Sequence, residues 1–248
     1  MSTQDKEPLK TQSVQTWTSK IRGPLGKAKE QDVLVVLSGG QDSTTSLFWA
    51  KKNFKNVEAI FFKYGQRHYD REFESVAKIA SIAGVTVHTA DINMLSKSAL
   101  LEKETKIDDS HSIFKDLPAS FVPLRNLMLL SYASQFALIR GIPNIVTGVC
   151  QTDYSGYPDC RQEFILSLEN TINMAIGRYF FTIWTPLMYL TKAETVVMAK
   201  MLGDDCWEAL GYTTTCYEGK YPPCTVCPAC ILRAKGFVEA GYDDPLFR

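Results

Sequence analysis

Val33-Leu34-Val35-Val36-Leu37 is an unbroken apolar run that ends directly in Ser38-Gly39-Gly40, and no other feature restricts the fold as much. An alternating strand would leave one face in water. A run without alternation needs cover on both faces, as a central strand of a parallel sheet has. Similar runs recur at residues 57–62, 85–90 and 142–149, and a weaker one at 179–184. Segments of helical spacing fall between or after them, at 43–52, 70–83, 126–139, 159–176 and 191–201. Strand and helix in alternation predict an α/β fold with a doubly wound parallel sheet.

Two helix starts carry local signals. Thr191-Lys192-Ala193-Glu194 reads as a capping box behind Pro186-Leu187, and Asp159 follows Pro158 in N-cap position. The polar stretch at 92–120 is long for a connection and reads as a lid or binding loop. Residues 1–30 are polar and broken by Gly23-Pro24 and Gly26, so they read as an extension outside the core. The expected division is 1–30 extension, 31–211 α/β domain, and 212–248 a small cysteine-rich subdomain with a C-terminal helical segment.

Composition excludes several classes. The 248 residues hold 27 Lys+Arg against 27 Asp+Glu and are 45% hydrophobic, which disfavours both a disordered chain and one that lives on phosphate contacts to nucleic acid. The first thirty residues have no apolar run of signal-peptide length, and no stretch of about eighteen apolar residues occurs, so a cytoplasmic protein with no membrane partner is expected.

The turn Ser38-Gly39-Gly40-Gln41-Asp42-Ser43-Thr44-Thr45 sits where a buried strand becomes a helix. Glycines allow close backbone approach, and a helix N-terminus offers unpaired N–H groups with partial positive charge, so an anion fits there. Ser38, Ser43 and Thr44 supply hydroxyls, and Asp42 is a candidate to hold a Mg²⁺ that bridges phosphates. The segment is neither a Walker A loop, since no Lys follows the glycines, nor a dinucleotide fingerprint, since the glycines are adjacent.

Four of the seven cysteines form Cys216-x7-Cys224-x2-Cys227-x2-Cys230. Four soft ligands at this spacing suit a closed tetrahedral Zn²⁺ site, structural because no position is left open, with an iron–sulfur cluster or free thiols as the rivals. Cys150 and Cys160 have no His nearby in sequence and read as small buried fillers.

Ser38-Gly39-Gly40-Gln41-Asp42-Ser43 resembles the PP-loop of the N-type ATP pyrophosphatases, enzymes of the adenine nucleotide alpha hydrolase type of Rossmann-like fold. The order of Tyr64-Gly65-Gln66-Arg67-His68, Phe121-Val122-Pro123, Arg125-Asn126, the block 147–161, Thr185-Pro186-Leu187-Met188, Lys192-Ala193-Glu194 and the four cysteines narrows this to a resemblance to the QueC family of 7-cyano-7-deazaguanine synthases, over about residues 33–236. The resemblance implies an ATP-dependent carbon–nitrogen ligase of queuosine biosynthesis. Its substrate would be 7-carboxy-7-deazaguanine, adenylated at the carboxylate, converted by ammonia to the amide, activated again and dehydrated to the nitrile. It also implies a homodimer with one zinc per chain. Carried onto this chain, the ATP loop is Leu37, Ser38, Gly39, Gly40, Gln41, Asp42, Ser43, Thr44, Thr45, Ser46 and Leu47. Asp42, Ser43, Lys192 and Arg125 are the catalytic candidates, with Lys192 neutralising phosphate charge. Tyr64, Gln66, Arg67, Arg125, Asp153, Tyr154, Tyr157 and Asp159 are candidates for substrate contact. Asp159 also has the reading of a plain helix cap, and His68 that of a satisfied polar residue rather than a base.

Leu124 departs from the family's Gly before Arg-Asn, and such a side chain is expected to narrow a pocket or force the loop off a left-handed conformation. The 92–120 loop is shorter than the family's, and the N-terminal extension is additional. These departures keep open a variant in which another amine, even one on a protein, captures the activated acid. A different PP-loop ligase, a tRNA-thiolating enzyme and a non-catalytic nucleotide-sensing module each fit part of the same pattern.

Overall fold

The computed structural model describes residues 25–93, 98, 100–101, 111–152 and 157–247. Among them, strands β1 (Val33–Val36), β2 (Val57–Lys63), β3 (Thr86–Asp91), β4 (Asn144–Val146) and β5 (Thr182–Trp184) form one all-parallel sheet. Its order is β3-β2-β1-β4-β5, so the chain reverses direction across the sheet between β1 and β4. The helices are α1 (Gln41–Asn53), α2 (Tyr69–Ala83), α3 (Arg125–Ile139), α4 (Gln162–Ala175), α5 (Lys192–Met201), α6 (Asp204–Leu210) and α7 (Pro228–Ala240). None of the described helices is long and apolar enough to cross a membrane.

The unbroken run at 33–37 is buried on both sides, as its composition requires. Val33, Val35 and Leu37 pack with Leu47 and Ala50 of α1, Val196 of α5 and Leu210 of α6. Leu34 enters the opposite core with Ile60, Leu130 of α3 and Ile165 of α4. Burying one such side chain contributes about 1.5–3 kcal/mol, so the central strand anchors both layers. Phe237 and Ala240 of α7 share the first core, and Ala28, in a 3-10 turn at Leu25–Glu30, packs into it too, so the end of the expected outside extension belongs to the core.

Element ends differ from the sequence expectations for local reasons. The run at 142–149 is a strand only at Asn144–Val146. Pro143 has no N–H for a ladder. Beyond Thr147, whose N–H still bonds the Trp184 carbonyl at 3.0 Å, the chain turns toward the glycine loop. β5 begins at Thr182, and Tyr179 and Phe180 before it are exposed. The segment expected as one helix at 159–176 is a 3-10 turn at Pro158–Cys160 and then α4, separated by extended Arg161. Asp159 therefore does not cap its own helix. Its Oδ2 accepts from the Asn126 N–H at 3.1 Å and caps α3. The capping box on α5 forms as read, with Glu194 N donating to Thr191 Oγ1 and Thr191 N donating to Glu194 Oε2. In the 92–120 segment, Ser98 Oγ donates to the Ala119 carbonyl and the Leu100 carbonyl accepts from Arg67 N. Residues 94–97, 99 and 102–110 lie outside the described residues.

Candidate active site

At the carboxyl edge of the sheet, where β1 and β4 diverge, a cavity of about 360 Å³ opens. This is the topological switch point at which open α/β sheets bind ligands. β1 delivers Ser38 and Gly40 to it, the first turn of α1 delivers Gln41, Asp42 and Ser43, and β4 delivers Thr147 and Gly148.

The glycine loop is shaped by contacts that need glycine. Gly39 has φ +79°, a left-handed conformation, and a Cβ there would stand 3.0 Å from the Glu72 carbonyl oxygen. Its own carbonyl accepts from Thr214 N at 2.8 Å, tying the loop to the segment before the cysteines. A Cβ on Gly148 would lie 2.8 Å from backbone atoms of Asp42 and Ser43, so the β4 turn touches the start of α1 directly. Within the loop, Ser38 N donates to Ser43 Oγ at 3.2 Å, and Ser43 Oγ donates to the Gly40 carbonyl at 3.1 Å.

Lys192, the first residue of α5, reaches across to this helix start. Its Nζ donates to both oxygens of Asp42 at 2.8 Å. The stem of Lys192 crosses α7 at Gly236, where a Cβ would meet Lys192 Cγ at 2.4 Å. Gly236 thus provides the groove through which the cation arrives.

The far wall is aromatic and basic. Tyr64, Tyr157 and Tyr217 border the cavity with Arg125, whose guanidinium carbon is 5.9 Å from the Tyr157 ring centroid. The Tyr157 hydroxyl bonds Ser120 Oγ at 2.7 Å. Burial pushes the Tyr64 phenol up to about 12, against the lowering effect of Arg125. Burial opposes the Arg125 charge, but Tyr64, Tyr157, Cys160 and Asp159 around it outweigh burial and raise its pKa. Burial, then Asp159, pushes the Cys160 thiol up to about 12, so it stays protonated at neutral pH, as befits a filler rather than a nucleophile.

Of the expected ATP-loop residues, Ser38, Gly40, Gln41, Asp42 and Ser43 border the cavity. Leu37 and Leu47 lie in the core, and Gly39 stands behind the turn. Thr44, Thr45 and Ser46 are fully buried, with Thr44 Oγ1 donating to the Gly40 carbonyl and Thr45 Oγ1 to that of Gln41. Of the expected substrate residues, Tyr64, Arg125 and Tyr157 border the cavity, and Gln66, Arg67 and Asp159 do not. Gln66 is a brace, accepting from Tyr64 N and donating to the Phe62 carbonyl and Glu72. Asp153 and Tyr154 lie outside the described residues. Leu124 corrects an expectation, because it keeps the left-handed conformation, at φ 60° and ψ 16°, with its side chain 60% exposed.

The cysteines gather as their spacing predicts. The sulfurs of Cys216, Cys224, Cys227 and Cys230 all lie within 4.8 Å of one another, and Cys227 and Cys230 are 3.4 Å apart. Sulfurs around a tetrahedral zinc stand about 3.8 Å apart, so the donor set fits a metal ion. Burial opposes ionisation of Cys224, but backbone N–H groups of Val226 and Cys227 bring its thiol down to about 7. The cluster adjoins the cavity: Tyr217 follows Cys216, and Ala229, Leu232 and Arg233 of α7 border the cavity beyond Cys227. Tyr217, Thr214, Glu72 and Gly236 gave no site signal in the sequence apart from the spacing of Glu72, one helical turn after His68, whereas Gly148 falls within the block 147–161 already singled out.

The family model described as queuosine biosynthesis protein QueC matches residues 32–241. A 7-cyano-7-deazaguanine synthase of Chromobacterium violaceum is 47% identical over 232 residues, 90% of this chain and 95% of its own. Synthases of that name from Laribacter hongkongensis and Bacillus subtilis are 48% and 46% identical over 219 residues, 87% and 85% of this chain and 94% and 95% of theirs.

Proposed function

The chain belongs to the QueC family of queuosine biosynthesis proteins, and from that premise we propose that it makes 7-cyano-7-deazaguanine from 7-carboxy-7-deazaguanine, ammonia and ATP. The identity of 47% across 95% of a named synthase carries this conclusion. A carboxylate resists attack by an amine until one oxygen becomes a good leaving group, and transfer of AMP to that oxygen supplies one.

The site residues suit this chemistry. Ser38, Gly40 and Ser43 hold the phosphates at the helix N-terminus, where backbone N–H groups and the helix dipole favour an anion. Lys192 stands ready to neutralise charge as pyrophosphate departs, held meanwhile by Asp42. Asp42 is also the residue that would meet a Mg²⁺ ion carried on ATP, and that ion would share the phosphate charge. Arg125 offers a planar fork to the substrate carboxylate, and Tyr64 and Tyr157 offer faces and hydroxyls to a flat heterocycle. Cys216, Cys224, Cys227 and Cys230 hold a Zn²⁺ that supplies structure rather than chemistry, since four protein ligands leave no position open. Residues 31–211 form the ATP-binding unit and 212–248 the metal-binding one. The exposed α3 side chains Met128, Tyr132 and Ile139 support a homodimer. The reaction belongs in the cytoplasm, where thiols stay reduced.

The test is a mass measurement. The protein, ATP and Mg²⁺ with 7-carboxy-7-deazaguanine should yield the nitrile with ammonium and an adenylated acid without it. An absence of AMP under both conditions would overturn the assignment.

A further inference from the structure

We propose that His68, oriented by Glu72, is the general base that removes protons from nitrogen in this reaction, a role that rests on the ligase function proposed above. Both residues border the cavity with Lys192 and Tyr64. The His68 side chain is 7% exposed, and its Nε2 is 3.1 Å from Glu72 Oε1. The other Glu72 oxygen accepts from Gln66 Nε2 at 2.9 Å, which fixes the carboxylate in place. An ionised carboxylate only accepts hydrogen bonds, so in the neutral ring the proton sits on Nε2 and the lone pair on Nδ1. That Nδ1 is buried and has no hydrogen-bond partner. A base whose far nitrogen is held by a carboxylate is the arrangement that activates imidazole in acyl-transfer sites.

The chemistry needs such a group at some steps and not at others. When the carboxylate attacks the α-phosphorus, an O–P bond forms, the bond to pyrophosphate breaks and no proton moves. When ammonia adds, a C–N bond forms, the C–O bond to AMP breaks, and one proton leaves nitrogen to give the amide. Adenylation of the amide oxygen releases a second N–H proton, and departure of the second AMP releases the last one as the nitrile forms. No electrons pass to an outside acceptor. Other groups on the cavity wall are committed elsewhere: Asp42 is paired with Lys192, and Tyr64 and Cys160 are held protonated by burial.

The test separates these halves with His68→Gln, whose amide nitrogen can keep the Glu72 contact but carries no base. Exchange of labelled pyrophosphate into ATP, dependent on the acid and run without ammonia, should stay within about twofold of the unaltered protein. Amide and nitrile formation should fall by about 10²-fold, the span of a lost general base. Glu72→Gln, measured alongside, should lower amide formation by about 10-fold with exchange retained. Amide formation undiminished in His68→Gln, or exchange and amide formation falling together, would overturn the role of His68. An unaltered protein with no acid-dependent exchange would instead overturn the ligase function itself.

Discussion

Lys192 reaches Asp42 only because position 236 carries no side chain. Gly236→Ala would put a methyl group 2.4 Å from the Lys192 stem, so the cation must leave its place. Pyrophosphate release should fall at least 10-fold in that variant while the metal content of the cysteine cluster is retained, which activity assays and metal analysis can check together. Gly148→Ala presses on backbone rather than on a flexible chain, at 2.8 Å from Asp42 and Ser43. Over-packing of this kind costs about 1–3 kcal/mol, and denaturant unfolding should show it together with lost ATP turnover. Leu124 points the other way. It occupies left-handed backbone with its side chain largely in water, so Leu124→Gly relieves strain and sacrifices little packing. A gain of about 1 kcal/mol is expected, seen as a melting temperature higher by about 2–4 °C.

At the scale of elements, the cysteine cluster is joined to the catalytic edge by a few short links. Thr214 N bonds the Gly39 carbonyl, its hydroxyl bonds Ser75 Oγ at 2.7 Å, and Tyr217 borders the cavity next to Cys216. Arg233 of α7 binds Asp244 through Nε and Nη2 and donates to Thr213 and Thr215, which secures the same segment from behind. Removing the proposed zinc with a chelator should therefore abolish turnover as well as lower stability, and a Cys227→Ser variant should do the same. A chelated protein that stays fully active would contradict this coupling. The central strand β1 was legible in the sequence because a run buried on both faces has no alternation, whereas the edge strand β3 leaves Thr86, Thr89 and Asp91 exposed. α2 was legible from the helical spacing that buries Val76, Ile79, Ala80 and Ala83, and α5 from its capping box. The break at Arg161 was not, because Asp159 spends its carboxylate on the N-terminus of α3, a long-range partner no local pattern encodes. α6 escaped because seven residues are too short for a periodicity to stand out. The glycine turn at the cavity, the reach of Lys192 to it and the gathering of the cysteines were legible from spacing and resemblance. The roles of Gly148 and Gly236 were not, since each is an absence of atoms that only packing reveals.

For the whole molecule, the strand order β3-β2-β1-β4-β5 decides where chemistry can occur. It opens the sheet edge between β1 and β4, and the glycine loop, the α5 cation and the α3 arginine converge there from separate parts of the chain. The proposed transfer of AMP to substrate oxygen takes place at this edge. It is tested most directly with 7-carboxy-7-deazaguanine carrying ¹⁸O in both carboxylate oxygens, turned over with ATP and ammonium. Each nitrile formed should leave two molecules of AMP, each with one ¹⁸O on its phosphate. Label found in inorganic phosphate, with ADP as the nucleotide product, would contradict it.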